Sequence, residues 1–457
     1  MSLRVMVAVV ILIAVLIWTL RRPYVGILMV IALFHLNLRM FGAGLDEIRF
    51  QFVATIVLLI SFILNQGTLR QIATPMRPPM VWLFAFLLVV FLTSMWAVAS
   101  IDVAFESAVD FSKIVLFSYL MVKVVQTKKE VDILMWFMLI CVWYTSFMTR
   151  WGVEWDWIDA IEAGIATGAT GTHILMYFPL MITLGLTGKN WIEKVAAFAI
   201  VPFMLDCMTV LEGGFRSTFL TLVVCVIGFI LFAPGKLRTR SIVPFIVGGV
   251  LFVYVLAPPG YFEYMQTILD PSSESSAASR SAINEVSFTL IKEYPFGIGY
   301  NNYPMISMDY LGEEYLTDLG TRDAHNSYLK VATEFGVLGL FLWLMTFVLT
   351  YFYFRRVRKS QERSQTPTRL QLYAFSLAVG LIGIAPGIYT HSYNDLDTLY
   401  WFVALSCILY NVQFRDAEEA ELMGQTARPI EQVKAAPPAP KPVRPRPGKS
   451  HHPVSVS

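Results

Sequence analysis

The sequence predicts an all-α polytopic membrane protein with about 12–13 transmembrane helices and one large helical loop. Three observations support this class. Of the 457 residues, 56% are hydrophobic and 15% are charged, whereas soluble domains contain about 25% charged residues. Apolar runs long enough to cross the hydrocarbon core recur along the chain. Finally, residues 258–335 form a connection between two such runs that is too long to be a simple turn.

The apolar runs and the basic residues together predict a topology. Each run approaches the roughly 17–25 residues that a spanning helix needs: 3–20, 24–38, 50–65, 80–98, 108–125, 131–149, 172–187, 195–211, 215–233, 241–257, 336–354, 370–390 and 399–414. Clusters of Lys and Arg fall on alternate connections, which the positive-inside rule assigns to the cytoplasm. The long loop then faces outward. An odd number of spans places the N-terminus outside, and an even number places it inside.

Four segments follow from this topology: a transmembrane bundle (1–257), a large extracytoplasmic loop (258–335), C-terminal transmembrane helices (336–414) and a disordered cytoplasmic tail (415–457). The tail is rich in proline and cannot build a core. Within the loop, Ile283, Val286, Leu290, Ile291 and Tyr294 recur at helical spacing. They predict an amphipathic helix that lies on the membrane surface or caps the bundle.

The sequence predicts no metal site and no cofactor. The four cysteines are isolated in apolar stretches, which is typical of small buried hydrophobic residues. The segment 297–302 contains two glycines but lacks the strand, helix and third glycine of a nucleotide-binding loop, so it predicts a turn with close backbone contact. The acidic cluster 394–397 is explained by a polar turn.

His325 is the first candidate for chemistry. Asp323 is a plausible N-cap, which would place His325 in the first turn of the next helix. The helix dipole there disfavours the imidazolium, so a neutral ring able to act as a general base is expected. Gly336 lies about three turns further on the same face, with Gly339 nearby, and both would let a second helix approach. Alternatively, His325 merely satisfies a helix end at the interface.

Three arginines are placed to meet this histidine from the same side of the membrane. Arg216 opens a span, Arg280 opens the loop helix, and Arg322 precedes His325 by three residues. Arginine binds phosphate through a planar, bidentate fork, so the set suits a lipid-linked phosphate. The alternatives are an ion pair with Glu212 or snorkelling for Arg216, and solvated loop charges for the other two.

These residues match a known pattern. The stretch from His325-Asn326 to Gly336 and Gly339 resembles the histidine signature of the O-antigen ligase family, and Arg216-x-x-x-Leu220 resembles its arginine signature. Residues 280–302 resemble the periplasmic loop shared by O-antigen ligases and polymerases. The resemblance implies a fold like that of the C-type glycosyltransferases and a multi-pass protein of the bacterial inner membrane with a periplasmic active site.

The resemblance also implies an activity in lipopolysaccharide biosynthesis. A glycan would move from undecaprenyl diphosphate to an acceptor hydroxyl, lipid A core above all, with inversion and without metal. In such a site Arg216 and Arg280 would hold the diphosphate, and His325 would activate the hydroxyl. The predicted partners are the lipid-linked donor, the glycan acceptor and membrane lipids, with no nucleic acid. Residues implied to contact substrate are Arg322, Asn326, Asn302 and Tyr328.

Three other functions remain open. A polymerase would join lipid-linked repeat units and differs from a ligase in its acceptor. A transporter or flippase predicts ionisable residues near the bilayer midplane and two matching halves, whereas the candidate residues here gather at one face. A structural scaffold gives no reason for Arg216, Arg280 and His325 to share that face.

Overall fold

The computed structural model describes residues 3–36, 50–69, 75–150, 168–210, 216–266, 275–316, 320–360 and 366–431. Within these ranges the regular structure is helical and no strand is present. The chain divides into two compact units, Met1–Gln413 and Phe414–Ser457. All candidate site residues belong to the first unit.

The helices that precede the long loop are mostly apolar. They are α1 Leu3–Arg21, α2 Pro23–His35, α3 Phe50–Leu64, α4 Gln66–Leu69, α5 Pro78–Ser94, α6 Ile101–Val124, α7 Lys128–Arg150, α8 Gly168–Leu175, α9 Phe178–Thr187, α10 Trp191–Val210, α11 Arg216–Phe232 and α12 Gly235–Leu251. A π-helical turn, Phe252–Leu256, extends α12.

The loop and the C-terminal part contain the remaining elements. Those of the loop are α13 Tyr261–Gln266, α14 Ser275–Glu293, α15 Tyr303–Ile306 and the 3-10 turns Ser307–Asp309 and Glu313–Tyr315. Those after the loop are α16 Ser327–Arg358, α17 Arg369–Gly383, α18 Ala385–Thr390 and α19 Asp397–Glu431. Helix therefore continues beyond residue 415, where the sequence predicts the disordered tail to begin, and residues 432–457 lie outside the described ranges.

The helices have the length and composition of membrane spans. Four are long and apolar enough to cross a bilayer: Lys128–Thr149, Gly235–Leu256, Ser327–Arg358 and Arg369–Thr390. Six shorter apolar helices accompany them. Val243 and Ile246 of α12 are 65% and 61% exposed. Contact of such apolar side chains with the hydrocarbon of a bilayer has no free-energy cost, whereas their exposure to water is unfavourable. The all-α polytopic membrane class is thus confirmed, while the number of spans stays a prediction.

The packing of a few helices positions the candidate site. α16 lies along α5 and α17, and α14 of the loop packs on α16. α11 packs against α8, α17 and α18. Inside the bundle, Trp343 of α16 donates from Nε1 to the Tyr400 hydroxyl of α19 over 3.2 Å. This hydrogen bond between two buried aromatic side chains attaches α16 to α19.

Candidate active site

The loop between α12 and α16 builds a hydrophobic core of its own. Ile283, Val286 and Leu290 are buried on one face of α14, at the predicted helical spacing. They pack with other buried side chains of the loop, namely Ile298, Tyr303, Ile306, Leu311 and Ala324. The predicted amphipathic helix is confirmed, but its apolar face covers this core rather than the membrane surface. Because α14 begins at Ser275, Arg280 lies in its second turn and does not open it.

The loop is fastened to α16 at a break in that helix. Gly336 has φ +70° and ψ −178°, a conformation that glycine adopts without steric cost. Near the break, the carbonyl groups of Thr333 and Glu334 accept hydrogen bonds from outside the helix. Their donors are the N–H groups of Ile298 at 3.0 Å and Gly299 at 3.1 Å. The loop backbone thereby takes the place of the missing helical turn.

Glycine is required on both sides of this contact. A Cβ on Gly336 would lie 2.5 Å from the carbonyl oxygen of Pro295, and a Cβ on Gly297 would lie 2.4 Å from that of Glu334. Real Cβ atoms do not approach oxygen so closely. The predicted close-approach turn at 297–302 is therefore confirmed. By contrast, the expectation that Gly336 admits a second helix is wrong, because loop backbone fills that space.

The start of α16 also differs from the prediction. Asn326, not Asp323, is the N-cap, and its Oδ1 accepts a hydrogen bond from the Tyr328 N–H at 3.0 Å. His325 precedes the cap and has φ +47°, in the left-handed region. It therefore lies outside the helix rather than in its first turn. The helix face that His325 and Gly336 were expected to share does not exist.

Asp323 is not a cap because a buried lysine binds it. Lys330 Nζ lies 3.1 Å from Asp323 Oδ1, and both side chains are 5% exposed. The same ammonium donates to Asn301 Oδ1 at 3.3 Å. Burial by itself would raise the pKa of Asp323, but the charge of Lys330, together with hydrogen bonds to the carboxylate, outweighs it, so the net pKa is lowered and the carboxylate stays ionised. The ion pair fixes the chain on both sides of His325.

His325 is a neutral and partly accessible imidazole. Its exposure is intermediate, and its ring forms no hydrogen bond with a described residue. Burial lowers the pKa of His325 to about 4; Asp323 opposes this shift, while Arg322 and Arg280 add to it. The neutral state expected from the sequence is found, although burial and nearby cations cause it and the helix dipole does not. Such a ring is unprotonated near pH 7, the form that a general base must have before it accepts a proton.

Two arginines stand beside this histidine. Arg280 is exposed on α14, and Arg322 reaches the same helix by donating from Nη2 to Ser279 Oγ at 3.4 Å. Burial, followed by the charge of Arg280, lowers the pKa of Arg322. Within the described ranges, no carboxylate lies at ion-pair distance from either guanidinium. Two neighbouring cations without an ion-pair partner are suited to bind an anion.

Arg216 belongs to the helices that precede the loop. It is the first residue of α11, as predicted, and its Nε is buried. Its helix packs against α18, which leads directly into His391. Besides burial, the charges of Arg322 and Arg280 lower the pKa of His325. The structure thus brings His325 and the two loop arginines together, while the participation of Arg216 stays a prediction.

The polar turn at 391–397, to which no chemistry is assigned from the sequence, lies against the start of α16. Ser327 donates to the His391 carbonyl from its N–H at 3.1 Å and its hydroxyl at 2.7 Å. The Ser327 hydroxyl oxygen accepts from the Tyr393 N–H at 2.7 Å. Burial, then the charges of His325 and Arg280, lower the pKa of His391 to about 3. The sequence shows a histidine in a short polar turn but does not tie it to a residue 64 positions away.

Asn302 is a structural residue, which corrects its assignment to substrate binding. Its Oδ1 accepts from the N–H groups of Ala99 at 2.8 Å and Ser100 at 2.7 Å. Its Nδ2 donates to the carbonyl groups of Ser100 at 3.1 Å and Tyr300 at 3.0 Å. These four bonds use the hydrogen-bonding capacity of the amide. Asn302 therefore clamps the loop onto the connection between α5 and α6.

The other two residues expected to contact substrate also have structural contacts. Asn326 is buried and uses its Oδ1 for the N-cap. Tyr328 is half-buried, and its ring packs edge-on against Trp343 with 5.8 Å between centroids. Both lie next to His325 in the chain. Their contact with substrate stays a prediction.

The cysteines of the described residues, Cys141, Cys225 and Cys407, are buried free thiols, as the sequence predicts. In that same part of the chain, no group of three or more His, Cys, Asp or Glu side chains is arranged to hold a metal ion.

Comparison with known protein families identifies the segment that carries this site. Residues 201–344 match the family model described as O-antigen ligase. The matched range runs from α10 to α16 and includes Arg216, Arg280, Arg322 and His325. No curated protein matches the chain. The segment that carries the candidate site therefore matches the O-antigen ligase family, which confirms the resemblance seen in the sequence.

Proposed function

We propose that this protein transfers a glycan from undecaprenyl diphosphate to an acceptor hydroxyl at the periplasmic face of the bacterial inner membrane. One observation carries the proposal: Arg280 and Arg322, without a carboxylate partner among the described residues, lie beside the neutral His325. The arginines suit the diphosphate of the donor, and the imidazole suits the hydroxyl of the acceptor. The family match over residues 201–344 supports the reaction class.

The proposed step is a single displacement. The acceptor O–H gives its proton to His325, and its oxygen forms a bond to the anomeric carbon of the donor sugar. The bond between that carbon and the diphosphate oxygen breaks, and the electron pair leaves with the diphosphate. Attack opposite the leaving group inverts the anomeric configuration. Arg280 and Arg322 stabilise the charge that grows on the diphosphate, with Arg216 as a third proposed contact.

The acceptor defines the kind of transferase. Lipid A core as acceptor makes the protein a ligase, which we favour because the chain carries both the histidine and the arginine signatures. A second lipid-linked glycan as acceptor would make it a polymerase. Both reactions break the same donor bond and need the same diphosphate site. The acceptor must therefore be identified by competition.

The test is transfer by the purified protein in liposomes. The donor is an undecaprenyl-diphosphate glycan, and lipid A core and a second lipid-linked glycan are offered together. Product on lipid A core supports the ligase, and product on the lipid-linked glycan identifies a polymerase. Movement of the donor across the bilayer without a new glycosidic bond would refute the transferase.

Matched arginine variants test the site itself. Arg280→Ala should lower transfer by about 10²–10³-fold, because removing one donor to a developing negative charge has effects of that size. His325→Ala should lower it by about 10²–10⁴-fold. Arg240→Ala, which removes an exposed arginine of α12, should leave the rate unchanged. Equal rates in the Arg280 and Arg240 variants would remove Arg280 from the site.

A further inference from the structure

The exposed apolar surface of α16 begins directly after the break at Gly336. From Ser327 to Gly336 the helix has no exposed side chain, whereas the next two residues, Val337 and Leu338, are 59% and 60% exposed. Because α16 is long and apolar enough to cross a bilayer, hydrocarbon is the medium that suits these two side chains. The level of Val337 therefore marks where the lipid-facing surface of this helix starts.

The turn 295–297 of the loop lies at this same level. The Val337 N–H donates a hydrogen bond to the Pro295 carbonyl oxygen over 3.4 Å, and a Cβ on Gly336 would lie 3.0 Å from the Phe296 Cα. Although its backbone is in contact with the helix, the side chain of Phe296 is 78% exposed. A phenyl ring in this position is more favourable in hydrocarbon than in water.

A second exposed apolar surface reaches the turn from α5. Leu88 and Leu92 of α5 and its C-cap residue Met95 lie at helical spacing, and they are 60%, 39% and 65% exposed. Trp96, the next residue, is 48% exposed and lines one groove together with Phe296. Tryptophan is enriched where spanning helices meet the membrane surface. The exposed face of α5 and the turn of the loop therefore form one continuous apolar area.

Charged side chains border this area on the side of the loop. The groove has a volume of about 370 Å³ and is lined by Trp96, Glu293, Tyr294, Pro295, Phe296 and Gly297. Its one charged residue, Glu293, accepts a hydrogen bond from the Tyr310 hydroxyl at 2.6 Å. Lys292 and Glu293 are both exposed at the end of α14. Charged groups stay at the headgroups while apolar side chains enter hydrocarbon, so the boundary between the two media falls between Glu293 and Phe296.

We propose that the turn 295–297, with Met95 and Trp96, is a membrane-binding surface of the loop, and that Phe296 inserts into the hydrocarbon of the leaflet on that side. The occupant of the groove is the hydrocarbon chain of a bilayer lipid. The continuity of the area with the exposed apolar faces of α5 and α16 favours lipid over a protein partner. The inference goes beyond the proposed function and does not depend on it.

Insertion of this turn sets the height of the loop above the bilayer. Ile298, which follows the turn, belongs to the hydrophobic core of the loop, and Tyr294, which precedes it, packs against that core. The same core includes Ile283 of α14, so the turn is joined through it to the helix that carries Arg280. The membrane contact at Phe296 therefore holds Arg280 at a fixed distance from the lipid headgroups.

The test measures the surroundings of nitroxide spin labels on the full-length protein in liposomes of phosphatidylethanolamine and phosphatidylglycerol. Labels are attached to Phe296→Cys and, separately, to Met95→Cys; both side chains are exposed, so the substitutions leave the packing intact. Collisions with oxygen, which concentrates in hydrocarbon, are compared with collisions with a water-soluble nickel chelate. A label on Val247→Cys, at a 59% exposed position of α12, gives the value for lipid. A label on Glu314→Cys, at an exposed position of the loop, gives the value for water.

At positions 296 and 95, the ratio of oxygen to nickel collisions should lie nearer the value at 247 than the value at 314. A ratio nearer the value at 314 at either position would place that position in water and overturn the proposal. Low collision rates with both reagents would show that protein, such as a second copy of the chain, covers the turn, and would overturn it as well. Protein with its native cysteines alone, treated with the same label, provides the background to subtract. The measurement needs no substrate, so its outcome is independent of the transferase.

Discussion

Replacing Lys330 with Met should destabilise the protein strongly. Lys330 and Asp323 are each 5% exposed and lie 3.1 Å apart. Without the ammonium, the carboxylate of Asp323 stays buried and keeps the local hydrogen bond from the Ala324 N–H at 2.8 Å, but it loses its paired positive charge. Removing one member of a buried ion pair costs about 3–5 kcal/mol. That loss lowers the folding equilibrium constant by about two to four orders of magnitude.

The assay is unfolding of the purified protein by denaturant in bicelles. The double variant Lys330→Met with Asp323→Asn removes both charges and should recover part of the loss, because no unpaired charge stays buried. Lys113→Met is the control: its ion pair with Asp110 is 33% and 58% exposed, and such pairs contribute about 0–1 kcal/mol. Similar losses in Lys330→Met and Lys113→Met would refute the reasoning, as would a double variant less stable than Lys330→Met.

Four further outcomes are expected. Because the pKa of His325 is about 4 rather than 6.5, transfer should stay level from pH 7 to about 5 and fall toward pH 4. As the pH falls, His325 takes up its proton in the unfolded chain before it does so in the folded protein, so the free energy of unfolding should be highest above pH 6.5 and decline below it. A midpoint of the pH–rate profile at 6.5 would contradict the lowered pKa. Gly336→Ala should cost several kcal/mol in an unfolding titration, about 1–3 from its φ of +70° and the rest from the clash with loop backbone. Gly249→Ala, with open space around it, should not destabilise. Asn302→Leu should lower stability by at least about 1–3 kcal/mol by leaving buried N–H groups unpaired, yet leave both KM values unchanged in the folded fraction; a raised KM would restore Asn302 to the substrate site. A chelator should not alter the rate, and strong inhibition would reveal a metal.

Local patterns predicted the loop helix correctly. Ile283, Val286 and Leu290 are buried on one face of α14, as their spacing indicates. The turn at 297–302 was predictable because paired glycines indicate close backbone contact. Both features depend on residues close together in the sequence. What α14 packs against was not predictable, because its partners Ile298 and Ala324 belong to other parts of the loop.

The start of α16 shows why cap residues are hard to choose from sequence. Asp323 and Asn326 are both good N-caps, and propensity does not separate them. The choice is made by Lys330, which binds Asp323 in the folded protein and leaves Asn326 to cap the helix. The role of the Asn302 amide is also not evident from the sequence, because its hydrogen-bond partners lie about 200 residues earlier in the chain. Long-range partners, not local propensity, decide what these polar side chains do.

The link between Ser327 and His391 has a consequence for how the protein is made. The two residues are 64 positions apart, so at about 5–20 residues per second roughly 3 to 13 s separate their synthesis. During that interval α17 and α18 must enter the membrane before the turn at 391 can reach the start of α16. A nascent chain that already contains the loop, with its arginines and His325, therefore does not yet have an assembled site. The site is completed only after residue 391 has been synthesised, and a chain released before that residue would carry the family signatures without the turn that binds the start of α16.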